Sequence, residues 1–354
     1  MFDIDKLTRE NIKKLIPYSS ARDEFAGEAK VFLDANENPF ETGLNRYPDP
    51  YQLVLKQAIS KLKNVTSNQI FLGNGSDEVI DLLLRAFCEP GQDNIIILPP
   101  TYGMYKVSAS INDVQVKEVP LTKEYQLDAE GILSAIDKNT KLIFVCSPNN
   151  PTGNDIDQEV IVSILRAFNG IVVIDEAYID FTSRKSFITQ LEDYPNLLVM
   201  QTFSKAWGLA GIRLGMAFCS ENIIRILNKI KPPYNINELT QKTALKALEN
   251  KEEMQRTRDI ILSERELLKE ELEQLNIVEK VFDSSANFLL VRITNALAVF
   301  QYLMGMEIIV RNRANVILCE DCLRITIGTE AENKALLDAL KKYQKNEASF
   351  SSEH

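Results

Sequence analysis

The segment Ile171-Val172-Val173-Ile174-Asp175-Glu176-Ala177-Tyr178 sets the architecture. Its first four residues are apolar without alternation, and a carboxylate follows at once. A strand buried on both faces reads this way, as in a parallel sheet covered by helices on either side. Four more runs share the texture: residues 94–98 (NIIIL), 142–147 (LIFVCS), 197–203 (LLVMQTF) and 214–219 (LGMAFC). Helix-like stretches such as 78–87 and 158–168 fill the gaps. Strand and helix in alternation predict an α/β layer with a mostly parallel sheet.

Beyond Pro232-Pro233 the texture changes. Residues 237–275 read as long charged helix with few breakers. Then come the run 287–293 (NFLLVRI), a short helix, residues 307–311, the run 323–327 (LRITI) and a last helix near 331–345. This is an α+β pattern. A chain of 354 residues is long enough for two domains. The expected divisions are an N-terminal arm (1–30), a large domain (31–235), a smaller α+β C-terminal domain (236–345) and a polar, frayed tail (346–354).

Composition narrows the function. The 40 Lys and Arg residues against 50 Asp and Glu leave a formal charge of −10. That balance disfavours a nucleic-acid partner, which calls for a basic face. The sole histidine is the last residue, His354, which argues against Ser-His-Asp or Cys-His catalysis and against a His-ligated metal. Proton transfer would then fall to Lys, Tyr, Asp, Glu or a cofactor. Among five cysteines, Cys146 and Cys219 sit in apolar runs. Cys319 and Cys322 form a C-x-x-C without a second Cys/His pair, so the pair reads as structural or incidental, with reversible oxidation as the alternative, rather than as a zinc site. No segment resembles a signal peptide or a bilayer span, and a cytoplasmic location with no membrane partner is the expectation.

Chemistry-bearing residues gather where strands end, which is where open α/β sheets bind ligands. Thr202-Phe203-Ser204-Lys205 closes one buried run, and Arg213 follows eight residues after the lysine. A half-desolvated lysine has a lowered pKa and serves as an amine nucleophile, while the hydroxyls and guanidinium suit a phosphate. A solvated loop lysine with helix-capping hydroxyls is the competing reading. Asp175 at the end of an apolar strand needs a partner, such as a protonated pyridine nitrogen; capping a helix or holding Mg²⁺ are its alternatives. No G-x-x-x-x-G-K-[ST] accompanies it, which weakens the nucleotide reading. Tyr178 can reach the same crevice.

Gly73-Asn74-Gly75-Ser76-Asp77-Glu78 opens a helix whose free N–H groups favour an anion, or is an ordinary capped glycine turn. Ser147-Pro148-Asn149-Asn150-Pro151-Thr152-Gly153 offers Asn150 to a phenolic oxygen, or is a tight loop needing no ligand. In Pro99-Pro100-Thr101-Tyr102-Gly103-Met104-Tyr105, Tyr102 stacks on a flat ring or merely packs. Singly these signals are moderate. Their joint order at successive strand ends gives them weight.

The motifs together resemble the fold-type I pyridoxal-phosphate aminotransferases, over nearly the whole chain. The residues carrying the resemblance include Ala35-Asn36-Glu37-Asn38-Pro39, Arg46-Tyr47-Pro48-Asp49, PPTYGMY, SPNNPTG, DEAY, TFSKAWGLAGIRLG (202–215) and LRITIG (323–328). Within that family ANENP, RYPDP and PPTYGMY are most similar to the histidinol-phosphate branch. The resemblance implies a seven-stranded, mostly parallel sheet and pyridoxal 5′-phosphate as cofactor. It implies that Lys205 binds the cofactor covalently and moves the substrate proton, that Asp175 pairs with the ring nitrogen, and that Asn150 and Tyr178 meet the ring oxygen. Tyr102 would stack on the ring. Gly75, Ser76, Asp77, Thr202, Ser204 and Arg213 would hold the phosphate, helped by Tyr47 from a partner subunit of a homodimer. Arg311 and Arg324 would grip the substrate phosphate with Tyr18 and Tyr234, and Asn36 and Asn287 would complete the wall. Relatives often carry alanine where Ser76 stands, a difference that a backbone N–H contact survives.

The implied activity is transamination between L-histidinol phosphate and 2-oxoglutarate in histidine biosynthesis. The same fold admits a threonine-phosphate decarboxylase or an aromatic-amino-acid aminotransferase. A non-catalytic pyridoxal-phosphate-binding regulatory domain would need an attached DNA-binding module, for which the roughly 30 residues ahead of the core are too few.

Overall fold

The computed structural model describes residues 2–18 and 30–351, with backbone only for 347–351. Met1, residues 19–29 of the expected arm and residues 352–354 of the expected tail lie outside the described residues.

Seven strands form the main sheet: β1 (Ile70–Asn74), β2 (Asn94–Ile97), β3 (Gln115–Glu118), β4 (Thr140–Cys146), β5 (Ile171–Asp175), β6 (Leu197–Thr202) and β7 (Leu214–Cys219). Their spatial order is β1-β7-β6-β5-β4-β2-β3. Only β7 runs against the rest, pairing antiparallel with both β1 and β6. The expected mostly parallel seven-stranded sheet is therefore met.

The unbroken apolar runs have the anticipated cause. Alternate residues enter two different cores. Val172 and Ile174 join Ile143 and Val145 on one face, while Ile171 and Val173 join Leu142 and Phe144 on the other. The helices Ser76–Phe87 and Glu221–Ile230 pack on the second face, and Gln158–Ala167 on the first. Each core residue is essentially removed from water, so both sheet faces contribute hydrophobic stabilisation at ~25 cal/mol per Å² buried.

A second, antiparallel sheet has the order β10-β11-β9-β8. Its strands are β8 (Val278–Val281), β9 (Phe288–Ile293), β10 (Arg311–Asn312) and β11 (Cys322–Thr326). With the helices Ala296–Gly305 and Glu330–Ser351 it encloses a separate core around Leu289, Val291, Leu323 and Leu340.

Four details depart from the sequence reading. The charged helix expected over 237–275 is two helices, Glu238–Glu249 and Lys251–Glu273, because Asn250 leaves helical geometry at φ −114° and ψ 50°. The last helix reaches Ser351, into the span read as tail. No glycine or proline stands between Asn346 and Ser351 to stop it. Strands β3 and β8 have no apolar run to announce them: β3 is QVKE on the sheet edge and β8 is VEKV. Of residues 307–311 only Arg311 is strand, since Glu307 turns the chain at φ +61°.

Candidate active site

Every strand of the main sheet except β7 ends on the same edge, so their following loops converge there. One cleft of about 640 Å³ collects Ser76, Asp77, Tyr102, Asn150, Asp175, Tyr178, Thr202, Ser204, Lys205, Arg213, Arg311 and Arg324. These come from five loops and from the second sheet.

The floor is built by β5 and β6. Asp175 is the last residue of β5 and is 4 % exposed. Its Oδ2 accepts from the Tyr105 hydroxyl at 2.7 Å and its Oδ1 from the Ala177 N–H at 3.1 Å. Burial raises its pKa, and the Tyr105 bond opposes that rise. Past β6, the Phe203 N–H bonds the Leu214 carbonyl at 3.0 Å and a turn closes from Gly208 N–H to the Lys205 carbonyl at 2.9 Å. Lys205 is thereby presented to the cleft with its Nζ 5.4 Å from the Tyr178 ring centroid. Burial lowers its pKa first, and Arg324 and Arg213 add to the effect, against Asp175 and Asp77. The outcome is an amine biased toward its neutral, nucleophilic form.

One end of the cleft is a glycine-lined cradle. Gly75 has φ +76°, and a Cβ there would stand 2.5 Å from Arg213 Nη2. A side chain at Gly215 would meet the Ser76 nitrogen at 2.3 Å. The backbone before the helix Ser76–Phe87 is thus packed closely against Arg213 and β7, while Ser76 and Asp77 open on the cleft. Arg213 holds a left-handed backbone at φ +54° and pairs with Asp77 at 3.5 Å. Asp77 also accepts from the Tyr102 hydroxyl at 3.1 Å. Thr202 and Ser204 hydroxyls lie 3.0 Å apart beside them. Backbone N–H groups, hydroxyls and a guanidinium at a helix N-terminus fit a phosphate.

The other end is arginine. Arg324 on β11 donates to Asn150 Oδ1 at 2.5 Å, and Asn150 Nδ2 lies 3.4 Å from the Tyr178 hydroxyl. Arg324 faces Arg311 directly across the β10–β11 ladder. Like charges opposed in this way repel. A third guanidinium, Arg313, lines the same cleft. Burial first, then Arg324 and Arg311, push its pKa down to about 10.

Several expected residues are not brought to this cleft by a single chain. Tyr47 and Tyr234 stack on each other at 4.5 Å between centroids. Tyr47 and Asn36 line a different hollow beside Asn237, and Tyr234 lines another with Tyr18 and Lys231. Asn287 precedes β9, and its carbonyl accepts from Ile327 at 2.9 Å.

The sequence reading did not single out Arg313, Tyr105 or the pair Glu176–Arg184. Arg313 stands two residues from Arg311, the spacing that shares a strand face. Tyr105 stands three residues from Tyr102, so the two rings meet edge to face at 5.5 Å. Glu176 is fully buried and accepts from Arg184 Nη1 at 2.9 Å, from the Phe187 N–H at 2.9 Å and from Gln201 at 3.0 Å. Arg184 also bonds Asp155 at 2.8 Å and the Ser147 carbonyl, tying down the loop that carries Asn150.

The cleft thus joins a half-buried lysine to a buried aspartate, with an anion cradle at one side and guanidiniums at the other. The chain belongs to the aminotransferase class I and II family, whose match spans residues 29–340. The histidinol-phosphate aminotransferase of Cytophaga hutchinsonii is 56% identical over 349 residues, covering 97% of this chain and 99% of the relative. That of Bacteroides thetaiotaomicron is 55% identical over 345 residues, covering 97% and 100%. Among solved structures, the histidinol-phosphate aminotransferase of Clostridium acetobutylicum superposes with a TM-score of 0.79 at 28% identity, covering 86% of this chain and 92% of that one. The Sinorhizobium meliloti enzyme, solved in complex with pyridoxal-5′-phosphate, gives 0.78 at 25% identity, covering 85% and 83%.

Proposed function

We propose that this protein is a pyridoxal-phosphate-dependent aminotransferase that moves the amino group of L-histidinol phosphate to 2-oxoglutarate. One observation carries the reading: a single cleft joins the desolvated amine of Lys205 to a cluster of guanidiniums that has no carboxylate partner among the described residues. Close relatives over the full chain bear the same activity in their names.

The residues present fit the cofactor on two counts. Asp175 is a carboxylate only 4 % exposed that opens on the cleft, and a cationic ring nitrogen is the kind of partner that keeps it ionised. The cradle at Gly75 admits an anion where any side chain would collide with Arg213. Gly75, Ser76, Asp77, Thr202, Ser204 and Arg213 are the residues we assign to its phosphate. Tyr102 is assigned to its ring face, Asn150 and Tyr178 to its ring oxygen. When bound, pyridoxal phosphate supplies an electrophilic carbon for amines and a ring that stores an electron pair.

The chain's own part is to bind and to move protons. Lys205 would hold the cofactor, and its amine, once freed, would carry the proton from the substrate's α-carbon to the cofactor carbon that bears the nitrogen. Its lowered pKa suits the first task and its place beside Tyr178 the second. Arg311 and Arg324 hold the phosphate of the donor.

We also assign the working form as a homodimer. Val31, Leu33, Phe40, Leu44, Leu53 and Val54, all within the stretch 31–54 that includes Tyr47, are each more than half exposed, apolar surface of the kind that buries on association. A single-chain mass by light scattering at micromolar concentration overturns that assignment.

Lys205→Ala tests the chemistry. The wild-type protein, loaded with pyridoxal phosphate and dialysed, should keep a visible absorbance band that L-histidinol phosphate alone bleaches. The variant should keep no band and show no turnover. A variant turning over at near wild-type rate refutes the mechanism.

A further inference from the structure

We propose that Arg313 is a third phosphate-binding arginine and a specificity-determining residue, one that selects a dianionic phosphomonoester over a carboxylate. The inference rests on the reading of the cleft given above and adds a residue that none of the motifs assigns.

Three observations carry it. First, strand geometry puts the residue there. The Arg313 N–H bonds the Cys322 carbonyl at 2.9 Å, so the β10–β11 ladder continues one residue past the strand. Residues two apart on a strand share a face, which sets Arg313 beside Arg311, and Arg311 faces Arg324. All three line one cleft.

Second, Arg313 has nothing to balance it. No carboxylate pairs with Arg311, Arg313 or Arg324 among the described residues, where most other site and core arginines have one. The Nε of Arg313 and that of Arg324 are buried without a hydrogen-bond partner. Buried guanidinium N–H groups left unmatched are costly, and a stack of like charges adds to the cost. An arrangement of this kind is kept where a ligand supplies the anion.

Third, the count of charges fits a dianion. The cleft carries five cationic side chains (Lys205, Arg213, Arg311, Arg313 and Arg324) and two carboxylates (Asp77 and Asp175), on a chain whose total charge is −10. Arg213 already has Asp77 at the cradle end. The excess lies at the arginine end. A phosphomonoester presents three terminal oxygens and two negative charges. A carboxylate presents two oxygens and one charge, which a single guanidinium matches in a bidentate pair. A third arginine is therefore spare for a carboxylate and useful for a phosphate.

The test compares Arg313→Gln and Arg313→Lys with wild type, all loaded with pyridoxal phosphate. Arg313→Gln should raise KM for L-histidinol phosphate roughly tenfold or more, the size expected for a lost charge-assisted bond, with a smaller effect on kcat. KM for 2-oxoglutarate should move less than threefold. Inorganic phosphate, used as a competitive inhibitor of the amino donor, should lose a similar factor in affinity. Arg313→Lys should recover part of both losses, which a purely structural role would not predict. Equal changes for phosphate and carboxylate ligands, or no change for either, overturn the proposal while leaving the aminotransferase reading intact. A wild-type enzyme that ignores both L-histidinol phosphate and inorganic phosphate overturns the proposal and the donor assignment together.

Discussion

Two groups of arginine flank the Asn150 loop, and they are built on opposite plans. Arg184, behind the loop, is 11% exposed and bonds Asp155, Glu176 and the Ser147 carbonyl. Among the described residues Arg324, in front of it, hydrogen-bonds only Asn150 Oδ1, faces Arg311 across a ladder and keeps a buried Nε without a hydrogen-bond partner. The first group is electrostatically complete within the chain. The second is complete only with something from outside. The contrast separates a cation that holds the fold from cations that hold a ligand, without appeal to any motif.

Removing Arg184 should have the largest effect on stability. Arg184→Ala leaves Glu176 buried and unpaired, a loss of ~3–5 kcal/mol in a denaturant titration. If the variant melts like wild type, the division into a structural and a functional group fails. Arg324→Ala should do the reverse. Its stability should hold within about 1 kcal/mol, because repulsion with Arg311 is relieved. Its KM for L-histidinol phosphate should rise ~10–1000-fold, and Arg311→Ala should behave alike. Two unchanged KM values would remove the phosphate assignment.

The smallest effect in the same Arg324→Ala variant concerns pH. Arg324 lowers the pKa of Lys205, so its loss raises that pKa. The neutral amine is the form above the pKa. The acid limb of cofactor uptake, followed by the visible band after mixing with pyridoxal phosphate, should therefore shift to higher pH. A shift to lower pH would mean that Lys205 senses something other than this guanidinium.

Much of this was legible in the sequence. The runs at 142–147, 171–175 and 197–203 announced their strands because both faces are buried. The carboxylate after one and the lysine after another were conspicuous because each interrupts an apolar context. What escaped had no such contrast. Tyr105 reads as a core aromatic and is one, stacked on Phe144 at 4.7 Å, yet its hydroxyl is what holds Asp175. Glu176 and Arg184 are charged residues in a charged chain, and only folding reveals that one is fully buried. Arg313 follows a two-residue strand, Arg311–Asn312, that is too short to show periodicity. Tyr47 and Tyr234 illustrate the other limit: they stack on each other at 4.5 Å outside the cleft, and one chain's sequence does not say which surface they serve.

The polar edge strand β3 bears on how such a protein survives at high concentration. A sheet whose central strands are apolar on both sides is a template for adding further strands from other chains. Here the outermost strand on one side is only Gln115–Glu118, with β1 at the opposite edge. Its Lys117 is tethered to Asp137 at 2.8 Å, and its Glu118 pairs with Lys106 at 2.6 Å. An incoming strand would have to strip both ion pairs to dock. The least apolar strand of the sheet thus lies at one of its edges, where charge disfavours the docking of a further strand.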